Sequence, residues 1–167
     1  EQIRLKAPLG TAKKDANVIL GAAAVEDVAT LESDSVTTPM AVVTFAADSD
    51  ALSLISFALD MDAGEIEMAF DDVPDVDTVA GEFVTIQSGQ SRLTGEFVQL
   101  SGLTASPRES RLKITFKLES DDFNALKANT DVATEKADTF ISFGAGFVKQ
   151  LVLPKGSIVG IAGNDAL

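Results

Sequence analysis

One stretch of this chain is written twice. TAKKDANVILGAAAV at 11–25 aligns without a gap onto TEKADTFISFGAGFV at 134–148, a spacing of 123 residues from Asp15 to Asp138. Thr11/Thr134, Lys13/Lys136, Asp15/Asp138, Gly21/Gly144, Ala22/Ala145 and Val25/Val148 are identical, where ordinary composition predicts about one coincidence. Upstream, LKA at 5–7 corresponds to LKA at 126–128 if the first copy is two residues shorter. This phase leaves room for one whole repeat and the trailing part of another. The opening segment, residues 1–47, would then supply only the last strands of a domain. Strands without partners expose apolar surface and backbone donors, so half a repeat does not build a core alone. Three arrangements satisfy it: the end of a tandem array, strands donated to a neighbouring molecule, or strands folded back on the same domain.

Between the two copies the chain is dominated by period-two alternation. Around FALDMDAGEIEMAF (57–70), Ile55, Phe57 and Leu59 share one face of a strand, and Ile66, Met68 and Phe70 share one face of the next. Met61-Asp62-Ala63-Gly64 has the composition of a short hairpin loop, with Gly64 free to take positive φ and Asp62 able to bond its own backbone. EFVTIQ (82–87), EFVQLS (96–101) and RLKITFKLE (111–119) read as further strands, the last turning Leu112, Ile114, Phe116 and Leu118 inward. One segment departs from this rule. Ser120 is placed to cap a helix of about two turns, with Asp121 and Asp122 near its positive end and Phe123 and Leu126 on one face. TFISF (139–143) and FVKQLVL (147–153) resume the extended pattern before a turn-rich Gly163-Asn164-Asp165.

Composition narrows the function classes. The formal net charge is −13 with no basic cluster, which disfavours nucleic acid, because phosphate binding needs Lys and Arg to displace counterions. The apolar runs VILGAAAV (18–25) and AVVTFAA (41–47) are too short to cross a bilayer, and no membrane span is expected. The first residue is Glu and no leader pattern follows, which reads as a processed product or a fragment. Cys, His, Tyr and Trp are absent, removing thiol nucleophiles, imidazole bases, most metal shells and the usual sugar-stacking rings. No pair of carboxylates stands out from the 26 acidic residues as a glycosidase pair would. No enzymatic activity is expected of this sequence.

The remaining candidate ligand is a hard cation. Asp60, Asp62 and Glu65, and above all Asp71, Asp72, Asp75 and Asp77 in DDVPDVD, gather carboxylates over short loops that Ca2+ would neutralise. Neither follows the EF-hand spacing, and a solvated acidic turn is the favoured reading of these residues. Asp121 and Asp122 are read as helix-start residues. No N-x-[ST] triplet occurs, so N-glycosylation is not expected, while Thr37-Thr38-Pro39 and Ser106-Pro107 read as loops with O-linked sugar as the other reading.

FAADSDALSLISFALDMDAGEIEMAF (45–70), LKITFKLESDDFNALKANTDVAT (112–134) and TFISFGAGFV (139–148) together resemble a repeat of very large surface proteins of marine microalgae and other protists. The resemblance covers most of 41–150, and its tail recurs in 11–31. Such repeats are similar in layout to bacterial Ig-like modules of surface-layer proteins. That implies an extracellular or cell-surface β-sandwich acting as a spacer, adhesive or assembly unit. The repeat's Asp after the closing strand is Asp27 in the first copy but Gln150 in the second. Its Ala-Gly-Asn is displaced to Ala162-Gly163-Asn164, and a proline near Asp50 is missing. The resulting expectation is an all-β chain: an Ig-like β-sandwich with one short helix over 48–167, plus N-terminal strands from a partial second repeat. Self-association is the expected partnership, as a homopolymer or with neighbouring repeats. The alternative is a calcium-dependent adhesion or carbohydrate-binding module, with glycans as partners.

Overall fold

The computed structural model describes residues 12–106, 110–151 and 156–167. The first LKA triplet, Thr11, Pro107 and the end of the expected 147–153 strand lie outside them. The chain divides into two compact units, the first up to Ser49 and the second from Asp50.

Among the described residues the first unit is one hairpin. A 3-10 turn, Lys13–Asp15, leads into β1 (Asn17–Leu20), which pairs antiparallel with β2 (Val36–Ala41), Val18 opposite Met40 and Leu20 opposite Val36. The connecting loop is organised by Asp27, whose Oδ1 accepts the N–H groups of Ala29 at 2.7 Å and Leu31 at 3.0 Å. No described residue of this unit is buried. Two strands give each side chain only one cross-strand neighbour, too little to exclude water from Val18, Ile19 or Met40.

The second unit is β-rich with one helix. Its elements are β3 (Leu54–Asp60), β4 (Glu65–Phe70), β5 (Pro74–Asp75), β6 (Val84–Gln87), β7 (Phe97–Gln99), β8 (Leu103–Ala105), β9 (Lys113–Leu118), α1 (Ser120–Ala128), β10 (Phe140–Phe143) and β11 (Lys149–Gln150). They form antiparallel sheets in the orders β3-β4-β9-β8, β10-β6-β7 and β11-β5. Inward residues of the two larger sheets meet in one core. Ile66, Met68, Phe70, Ile114 and Phe116 come from one sheet, and Val84, Ile86, Ile141 and Phe143 from the other. Phe147 joins them with its ring 5.2 Å from Phe143 and 6.1 Å from Phe116, the tilted and edge-on contacts that aromatic quadrupoles favour.

Local details correct several expectations. Ile55 is exposed and Leu54 takes the inward position, because the β3–β4 register shifts between Leu54 and Ser56 and displaces one side chain from the face. Phe57 and Leu59 keep their places against the core. In the 61–64 turn, Asp60 rather than Asp62 bonds the backbone, its Oδ1 accepting Asp62 N–H at 2.8 Å and Ala63 N–H at 2.9 Å. Those two bonds, Ala63 first, hold the Asp60 carboxyl below the usual carboxylate range against a smaller opposing effect of burial. Gly64 takes φ +69°, left-handed backbone that favours a residue without Cβ. Ser120 does not cap α1. Glu119 occupies the cap position without a side-chain bond, and the helix runs nine residues.

Candidate functional site

The repeat in the sequence is a repeat in the structure. Lys13–Asp15 and Lys136–Asp138 are both 3-10 turns, and Asn17–Leu20 and Phe140–Phe143 are both strands, each at the same 123-residue spacing. The partner side recurs as a bridged segment rather than a strand: Phe143 bridges Ile161, and Ile141 exchanges both backbone bonds with Leu167, where Leu20 and Val18 oppose Val36 and Met40 of β2. The surroundings differ. Ile141 is 0% exposed, whereas its counterpart Val18 is 53% exposed; Ser142 is 3% exposed and its counterpart Ile19 63%. The first unit therefore presents Val18, Ile19, Val25, Val28, Leu31 and Met40 to solvent. That apolar exposure, on a strand with an unpaired edge among the described residues, has the properties of a docking surface.

A second surface lies wholly in the second unit. A groove of about 940 Å³ runs beside β3 and is lined by Phe57, Leu59 and Met61 on one side and Ala137, Phe140 and Leu167 on the other. β3 is the outermost strand of its sheet. Asp138 lies in the turn that forms one wall. Its carboxylate receives N–H groups of Thr134 at 2.9 Å and Glu135 at 2.8 Å and the Thr134 hydroxyl, while the Glu135 side chain completes a reciprocal capping box. Burial pushes the Asp138 carboxyl up, but bonds from the Thr134 hydroxyl, the two N–H groups and Thr139 outweigh it and hold its pKa low.

The acidic residues singled out for a cation are placed as follows. Asp71 Oδ1 accepts Ser53 N–H at 2.7 Å. Asp72 is buried, its Oδ1 receiving Val73 N–H at 2.8 Å and its Oδ2 the Gln150 side-chain amide at 2.6 Å. Asp75 is buried in β5 and Asp77 is exposed in the following 3-10 turn. Among the described residues no three carboxylates are gathered as a metal-binding group. The position that distinguishes the two copies acquires a physical account here. Asp27 ties the backbone of an exposed loop, whereas Gln150 is buried and donates to Asp72, a bond that an ionised Asp could not make.

Two polar residues escaped the sequence reading. Asp122 lies in the first turn of α1 and is also buried: it is 6% exposed, and its Oδ2 takes the N–H and hydroxyl of Ser101 at 2.7 and 3.0 Å, tying α1 to the β7–β8 connection. Gln87 is fully buried and links three segments. Its amide donates to the carbonyls of Gly89 and Gly163, and its Oε1 accepts the Ser142 hydroxyl at 2.8 Å. The only trace in the sequence is a polar residue ending an apolar strand, which strand alternation explains equally well. No helix of the described residues is long and apolar enough to cross a membrane. Comparison of the chain with protein-family models, with curated proteins and with solved structures finds no match.

Proposed function

We propose that the protein is a structural building block of an extracellular surface filament or tandem-repeat array. In this reading residues 50–167 form an Ig-like β-sandwich, and successive units join head to tail by strand pairing and apolar burial. The observation that carries it is the first unit, none of whose described residues is buried, while the matching strand β10 of the second unit is built into a core. The single core formed by inward residues of both larger sheets supports the sandwich. The surface setting rests on the resemblance of 41–150 to repeats of large surface proteins. A binding rather than catalytic role fits a chain without imidazole or thiol groups.

Sedimentation of the purified chain over a range of concentrations, in chelator and in calcium, tests this reading. The expected result is a mass that rises with concentration in both, and falls back when Val18, Ile19 and Met40 are replaced by Ser. A monomer at every concentration in both buffers overturns it. Association only with calcium moves the conclusion to calcium-dependent adhesion.

A further inference from the structure

The repeat also indicates what covers the first unit. In the second unit β10 is a middle strand, with the C-terminal segment at one edge and β6 at the other, Phe140 opposite Gln87 and Ser142 opposite Thr85. In the first unit β2 stands where the C-terminal segment stands, and among the described residues no strand stands where β6 does. Backbone alternation identifies the groups at that edge. Val42 N–H donates to the Ala16 carbonyl and Val18 opposes Met40, so residues 16, 18 and 20 turn their backbone groups to β2. Asn17 and Ile19 turn theirs the opposite way, as their counterparts Phe140 and Ser142 turn toward β6.

The side chains fit the same occupant. Val18 and Leu20 keep apolar the face on which Ile141 and Phe143 meet the core. On the other face Phe140 and Ser142 become Asn17 and Ile19, which exchanges the apolar and polar positions and keeps one of each. In that pairing Asn17, whose side-chain amide donates to the Lys14 carbonyl at 3.5 Å, takes the position opposite Gln87. A body that already has its own hairpin offers no vacancy, because its β6 is engaged by β10.

We propose that the edge of β1 left unpaired among the described residues receives a β6-type strand from a second copy of the β-rich body, one that has no closing hairpin of its own. The order, body and then hairpin, is the order of residues 50–167. This inference rests on the array reading and names its joint.

The test uses the full 167-residue sequence with a copy of residues 48–121 fused ahead of Glu1, which preserves the phase set by the two LKA triplets. Amide hydrogen exchange at Asn17 and Ile19 slows by about 100-fold or more relative to the unfused chain, with Val18 and Leu20, already turned to β2, as references. Unchanged rates at Asn17 and Ile19 overturn the proposal; if the unfused chain still associates with concentration, the array reading survives that failure. As a second readout, Ile19→Cys is combined with Thr85→Cys in the added copy of this cysteine-free chain. A bonded antiparallel pair sets the two Cα atoms about 5.5 Å apart, within disulfide reach. A crosslink under oxidation supports the joint. Its absence while the Ile141 amide remains protected overturns it.

Discussion

NVIL at 17–20 and FISF at 140–143 are written on one pattern, follow the same 3-10 turn and open the same kind of hairpin, yet water reaches one and not the other. Side-chain character does not make the difference, since Val18 and Ile19 are as apolar as residues that lie in the core. What differs is the number of neighbours. β10 has β6 at its second edge and Phe116 and Phe147 in its core, whereas β1 has β2 alone among the described residues. A hydrophobic residue stabilises a fold only in proportion to the area that other residues remove from water. The same local pattern therefore contributes a core in one place and exposed apolar side chains in the other.

The sharpest way to break this comparison is to truncate the two counterparts. Ile141→Ala should lower the unfolding free energy by about 2–5 kcal/mol, while Val18→Ala in the unfused chain should change it by less than about 0.5 kcal/mol. Chemical denaturation monitored by circular dichroism reads both, and a comparable loss at Val18 would mean that the first unit has an interior after all. Next in size is Asp122→Ala, which leaves the Ser101 donors at the foot of α1 without their acceptor and should cost about 1–3 kcal/mol in the same assay. An effect near zero would place that carboxylate outside the set of groups that hold the second unit together. Gly64→Ala forces a Cβ into left-handed backbone and should cost about 1 kcal/mol. It should leave association through the first hairpin unchanged.

The smallest effect is one of pH. Asp60 and Asp138 both have folded-state pKa values held below the ordinary carboxylate value, so each contributes stability that is full above the unfolded value, near 4, and is lost as pH falls through the folded value. Asp138→Asn should therefore be less stable than the parent at neutral pH and converge with it in acid. Melting curves from pH 7 down to pH 2 check the sign, and a gap that widened in acid would contradict it. Both carboxylates lie at the surface, and water screens such contributions.

The strands of the second unit were legible because a half-buried strand must alternate, and Ile66, Met68, Phe70, Ile114 and Phe116 do so without interruption. Ile55 was misplaced because a register shift carries no signature in composition, only in the pairing of β3 with β4. Ser120 was misassigned as a cap because propensity ranks residue types and does not say where the first turn begins. Asp122 and Gln87 were missed for another reason. A buried polar side chain is specified by partners 21 or 55 residues away, and no window along the chain holds both ends of such a bond.

The sequence by itself determined the period-two strands and the repeat at 123 residues, because these depend only on the order of residues along the chain. Tertiary structure alone decided which copy of the strand is buried, which carboxylates are tied to backbone and which polar groups lie inside. Those are properties of three-dimensional neighbours, and the energy of burying a side chain or completing a hydrogen bond depends on what stands opposite it.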